Sequence, residues 1–137
     1  METLIIAATD TNLTQVNNFV HKFMPDSCST QLINQIDLAV EEIFVNIAHY
    51  AYTKENDDTK SVTIGCNFNQ NELTIFFKDS GKAFNPLLRE DPDLTMNADE
   101  REIGGLGIYL TKTFMDDINY EYKDNCNCLT IKKLLNA

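Results

Sequence analysis

Three groups of residues in this chain have types and spacings that could do chemistry together. Glu42-Ile-Phe-Val-Asn46 sets a carboxylate and a neutral amide four residues apart, Asp79-Ser-Gly81 ends an apolar-alternating run, and Gly104-Gly-Leu-Gly107 opens another apolar segment. A carboxylate can take a proton from a hydroxyl, and an amide oxygen can ligate a hard cation such as Mg²⁺. Glycines let phosphate oxygens reach backbone N–H groups with no Cβ in the way, and a helix N-terminus behind them adds partial positive charge. An ionised aspartate only accepts hydrogen bonds. Asp79 would therefore select a base with an exocyclic amine over one with a carbonyl there, adenine over guanine.

Taken singly, each signal is weak, since Asp-x-Gly is common in turns and glycine strings often serve tight packing. Taken in order, they outline a site for an adenine nucleotide. Glu42 would accept the proton of an attacking hydroxyl or water, and Asn46 would complete a Mg²⁺ shell otherwise made of phosphate oxygens and water. No Gly-Lys-Ser/Thr occurs, and the glycines do not follow a first βα turn. Neither the phosphate-binding loop nor the dinucleotide fingerprint is therefore present.

These residues need elements to position them. The pattern predicts a long helix from about Ser29 to Tyr52, with Ser29 or Thr30 as its cap. Leu32, Ile36, Val40, Ile43, Phe44, Ile47 and Ala51 gather on one face at about 100° per residue. Glu42, Asn46 and His49 form a narrower polar stripe beside them. Thr3 to Ala8 reads as a first strand, and Asp10 or Asn12 as the cap of a helix carrying Leu13, Val16, Phe19, Val20 and Phe23. Ser61 to Phe68 and Glu72 to Asp79 alternate around a turn at Asn69-Gln-Asn71 and predict an antiparallel hairpin. Asp79 shares the parity of Leu73, Ile75 and Phe77, so it points to their side, where an acid asks for a partner. A second helix face is expected from Leu106, Tyr109, Leu110 and Phe114, followed by strands at Ile118–Tyr122 and Cys126–Lys133.

At 137 residues the chain reads as a single domain, 1–137, with 43% apolar residues and a formal net charge of −10. That acidity argues against nucleic acid and against an anionic membrane as partners, because phosphate contacts need clustered Lys and Arg. No apolar run approaches the roughly 18 residues of a membrane span, and Met-Glu-Thr does not open a signal peptide. The four cysteines lack paired metal-ligand spacing, so zinc is not expected and a reducing, cytoplasmic setting is.

With the three boxes in order, the sequence resembles the ATP-binding domain family shared by gyrase, Hsp90, histidine kinases and MutL. Within it, the small anti-sigma-factor serine kinases are the most similar group. The resemblance runs from Asp37 through Asp116. It implies an α+β fold, a two-layer α/β sandwich of the Bergerat type with a mixed, mainly antiparallel sheet and helices packed on one face. It also implies Glu42 as catalytic base, Asn46 as magnesium ligand, and Asp79 and Gly81 as the adenine box, continued by Phe84-Asn-Pro86. Gly104, Gly105, Leu106 and Gly107 become the phosphate-binding turn, ahead of a helix ending in Met115-Asp116, with an ATP lid over about residues 86–103. ATP and Mg²⁺ are the implied cofactors, and a sigma factor and an anti-sigma antagonist protein the implied partners, with a homodimer also allowed. The implied function is phosphorylation of a serine or threonine on the antagonist. The alternative is a non-catalytic, nucleotide-gated binding module of the same fold. The chain departs from the pattern in three places. Tyr50 stands where these kinases carry a histidine, Ile103 where they often carry an arginine, and the Gly-Thr of the last strands is missing.

Overall fold

The structure, a computed structural model, describes residues 1–52, 60–88 and 105–135. Five strands, β1 (Glu2–Ala7), β2 (Ser61–Asn69), β3 (Glu72–Asp79), β4 (Asp117–Lys123) and β5 (Cys126–Leu134), form one sheet in the order β1-β2-β3-β5-β4. All four pairings among them are antiparallel. Two-residue turns join β2 to β3 and β4 to β5. Gln70, Asn71, Asp124 and Asn125 take φ of 52°, 66°, 53° and 62°, the left-handed pairs that match the twist of a tight hairpin.

Alternation sends Val62, Ile64, Cys66, Leu73, Ile75, Phe77, Leu129 and Ile131 to one face, where they share a core with helices α1 (Leu13–His21) and α2 (Thr30–Asn46). The other face carries exposed Thr3, Ile5, Asn67, Lys78 and Glu121. This is the two-layer sandwich expected, with helices on one side. Ser29 caps α2, its hydroxyl accepting from Leu32 N–H at 3.2 Å. Neither Asp10 nor Asn12 caps α1 through its side chain. Asn12 instead donates to the Ala7 carbonyl at 2.9 Å, tying the helix start to β1.

Helix α3 (Gly105–Phe114) packs against α2. The apolar spacing pointed to Leu106, Tyr109, Leu110 and Phe114, yet all four are only half-buried, and Ile108, Thr111 and Met115 are the residues shut away from water. Thr111 tolerates this because its hydroxyl donates to the Gly107 carbonyl at 2.8 Å within its own helix. The predicted lid is described only at its start, where Pro86–Leu88 makes a short 3-10 turn. Its remainder, 89–103, and Gly104 of the glycine turn lie outside the described residues.

Phe44 is fully buried between α2 and the sheet. Phe44→Ala is expected to lower the unfolding free energy by about 3–5 kcal/mol, read from the urea midpoint.

Candidate functional site

Helix α2 brings the first two residues together as their spacing requires. Asn46 Nδ2 donates to Glu42 Oε1 at 3.2 Å. An ionised carboxylate has nothing to donate, so the amide nitrogen faces it and Asn46 Oδ1 stays available to a ligand. Asn46 is buried, 5% exposed. Glu42 reaches the first turn of α3, where a Cβ placed on Gly107 would lie 2.1 Å from Glu42 Oε2. The carboxylate thus occupies the room a side chain on Gly107 would need, and it would have to shift to admit one. The start of a helix is also a favourable place for negative charge.

The end of α2 departs from α-helical geometry. Residues Ile47–Ala51 form a π turn, wider than an α turn. His49 therefore leaves the stripe it would have shared with Glu42 and Asn46 and meets Asp10, its Nε2 2.9 Å from Oδ2. Tyr50 stacks on Phe84, ring centroids 5.5 Å apart and planes 21° from parallel. The Ala51 carbonyl accepts from Lys82 N–H at 2.7 Å, which docks the Asp79-Ser-Gly81 turn onto the end of the helix. A Cβ on Gly81 would lie 2.4 Å from that same carbonyl oxygen, so backbone contact forbids any side chain there.

Asp79 ends β3 pointing inward, 4% exposed. Its Oδ1 accepts from Gly81 N–H and from Asn127 Nδ2, each at 2.9 Å. Burial pushes its carboxyl above the ordinary value, and these two bonds partly oppose the rise. Asn127, paired with Asp79 in the β3–β5 register, also donates to the Lys82 carbonyl at 2.9 Å and accepts from Phe84 N–H at 3.0 Å and from the Tyr120 hydroxyl. Burial raises the Tyr120 phenol, so it keeps its proton and donates.

Between these groups lies a small hollow of about 20 Å³, with walls from Asn46, Asp79, Phe84, Tyr120 and Asn127 and an apolar floor including Ile43, Phe77 and Leu129. An apolar lining with a carboxylate set into it is the chemistry that a heteroaromatic base with an exocyclic amine calls for. The line from Asp79 across the hollow to Asn46, on to Glu42 and to Gly107 is continuous. Of the predicted site residues, Glu42, Asn46, Asp79, Gly81, Phe84 and Gly107 meet along it. Gly105 opens α3 and Leu106, half-buried, follows. Residue types and spacing did not single out Asn127, Tyr120 or Tyr50 as parts of the site. Asn127 did carry a signal, being a polar residue on the apolar parity of β5, the same mark that singled out Asp79.

Two outcomes test this arrangement. Gly81→Ala is expected to cost about 1–3 kcal/mol of stability by forcing the loop off the Ala51 carbonyl, measured by denaturant unfolding. The folded state holds the Asp79 proton more tightly than the unfolded chain, so stability should fall as pH rises from the ordinary carboxyl value through the raised one. Asp79→Asn should flatten that decline, seen by comparing Tm at about pH 4 and about pH 7.

Residues 6–133 match the family model of the histidine kinase-like ATPase domain. The serine/threonine-protein kinase BtrW of Bordetella bronchiseptica is 27% identical over 131 residues, 95% of this chain and 91% of its own length. The serine-protein kinase RsbW of Listeria monocytogenes is 27% identical over 108 residues, 76% of this chain and 68% of its own. An anti-sigma F factor of Clostridium perfringens is 30% identical over 106 residues, 77% and 74% of the two chains. Among solved structures, the RsbU and RsbW domains of Rv1364c from Mycobacterium tuberculosis align with a TM-score of 0.66 at 13% identity, over 98% of this chain and 33% of that one. The histidine kinase domain of a blue-light activated kinase from Erythrobacter litoralis aligns with a TM-score of 0.57 at 12% identity, over 95% and 62%. At those identities the two structures speak for the fold alone. The family match, spanning nearly the whole chain, carries the assignment: the protein belongs to the histidine kinase-like ATPase domain family.

Proposed function

We propose that the protein is an ATP-binding regulator of the anti-sigma type and a Mg-ATP-dependent protein serine/threonine kinase acting on a small anti-sigma antagonist protein. The observation that carries this reading is the continuous line of Asp79, Asn46, Glu42 and the start of α3 around one apolar hollow. The relatives named as serine kinases and as an anti-sigma factor support it. A sigma factor is the second partner proposed. No described helix is long and apolar enough to cross a membrane.

Asp79 accepts a hydrogen bond from the exocyclic amine of adenine, and Phe77 and Leu129 offer the ring an apolar bed. Backbone N–H groups in the first turn of α3, from Gly105 onward, face the phosphates, where the helix field favours negative charge. Among the described residues no cluster of three or more His, Cys, Asp or Glu could hold a metal. Asn46 Oδ1 fits as one hard oxygen ligand of a Mg²⁺ whose other ligands are phosphate oxygens and water. When bound, such an ion would neutralise negative charge on the phosphates, with ADP as the leaving group. Glu42, held by the Asn46 amide, accepts the proton of the serine hydroxyl as that oxygen attacks phosphorus.

Transfer of label from ATP to the antagonist protein tests the assignment. Glu42→Gln is expected to lower the transfer rate about 10²-fold or more while ATP binding, read by calorimetry, stays near wild type. Equal transfer by both proteins would remove Glu42 from the chemistry. ATP binding by wild type with no transfer would mark a nucleotide-gated binding module instead.

A further inference from the structure

Asn127 uses all four hydrogen-bonding positions of its carboxamide: two donated bonds, to Asp79 Oδ1 and the Lys82 carbonyl, and two accepted, from Phe84 N–H and the Tyr120 hydroxyl. Two of these partners have a fixed sense. A backbone N–H can only donate and a carbonyl can only accept, so Oδ1 must face Phe84, Nδ2 must face Lys82, and the amide cannot be flipped. It follows that Nδ2 donates to Asp79, and that Asp79 Oδ1 is an acceptor. Gly81 N–H imposes the same sense on the same oxygen. With Oδ1 committed to two protein donors, Oδ2 is the oxygen left to read a base.

We propose that Asn127 sets the base selectivity of the nucleotide site, as a positioning residue that pins Asp79 with Oδ2 presented to a purine as a hydrogen-bond acceptor. The substrate class this favours is the 6-aminopurine nucleotides, over purines bearing hydrogen or a carbonyl at that carbon. The same carboxamide holds the backbone at Lys82 and Phe84, so the oxygen that reads the base and the chain leading toward Pro86 are fixed by one side chain. Asn127 has no need to touch the nucleotide for this. The inference rests on the nucleotide site proposed above and adds the residue that orients its selective oxygen.

The test compares Mg complexes of ATP, purine riboside triphosphate, which lacks the 6-amine, and inosine triphosphate, which carries a 6-carbonyl. Affinities are measured by calorimetry for wild type, Asn127→Ala, Asn127→Leu and Tyr120→Phe, each checked for folding by circular dichroism. Wild type is expected to bind ATP about tenfold or more tightly than the analogue without the amine, the worth of a hydrogen bond to a charged acceptor. In Asn127→Ala, which removes the obligatory donor to Asp79 and adds no group that titrates, that ratio is expected to fall to within about threefold. Asn127→Leu should do the same, and the ratio of ATP to ADP affinity, set by phosphate contacts, should not move in either variant. Tyr120→Phe leaves both donated bonds of Asn127 in place and should keep the wild-type preference. A general loosening of the fold would weaken all the nucleotides together, so it would not change the base ratio alone. Should Asn127→Leu fail to fold, Asn127→Ala decides. Folded Asn127 variants that keep the wild-type base ratio overturn the proposal, as does a Tyr120→Phe protein that loses it equally. Wild type binding none of the three nucleotides would instead bring down the nucleotide site itself.

Discussion

A carboxylate almost sealed from water is the constraint on which the rest of this structure depends. Leaving Asp79 charged at the end of β3 costs free energy that only donors can offset. The sheet supplies one from the facing strand, because register places Asn127 opposite Asp79. The chain supplies the other by turning back so that Gly81 N–H reaches the same oxygen. That turn is possible because Gly81 has no side chain to meet the Ala51 carbonyl, and Lys82 N–H then satisfies the carbonyl itself. The need of one buried charge for partners thus ties together the end of a sheet, a loop and the end of a helix.

The second device is the change of helical pitch after Asn46. Glu42 and Asn46 need α spacing to face each other, and they have it. Past that point, wider π geometry redistributes the side chains. His49 turns out to Asp10 and links the helix end to the segment after β1, while Tyr50 turns to Phe84 at the start of the lid region. A continued α-helix would have kept the histidine in line with the polar pair. The pitch change thus separates chemistry from scaffolding along one element.

Electrostatics fit the same plan. An acidic chain of net charge −10 gives phosphate no general welcome, so a local field must do the work. The first turn of α3 provides one through its backbone N–H groups. Gly107 leaves the space into which Glu42 places its carboxylate, so a carboxylate and an anion-favouring helix end sit side by side.

Much of this was legible in the residues. Strict alternation delimited β2, β3 and β5 to within a residue or so, since a half-buried strand tolerates no slip of parity. The i, i+4 pairing of Glu42 with Asn46 and the inward parity of Asp79 followed from local geometry alone, and the three boxes in order pointed to the family. What local geometry could not reach was anything depending on a partner distant in sequence. The face that α3 buries is chosen by packing on α2, so Ile108 and Thr111 are buried while Leu106 and Leu110 stay half-buried. The π turn depends on where Asp10 and Phe84 stand to receive His49 and Tyr50. Asn127 lies 48 residues from Asp79, and only the pairing of β3 with β5 makes them neighbours. The sequence by itself determined which residues have the types and spacing for chemistry and which side of each strand they take, because periodicity is a property of the local backbone. Tertiary structure alone decided which of them share a hollow and which oxygen of Asp79 the protein's own donors occupy, because hydrogen-bond direction is settled by partners that meet only when the chain has closed.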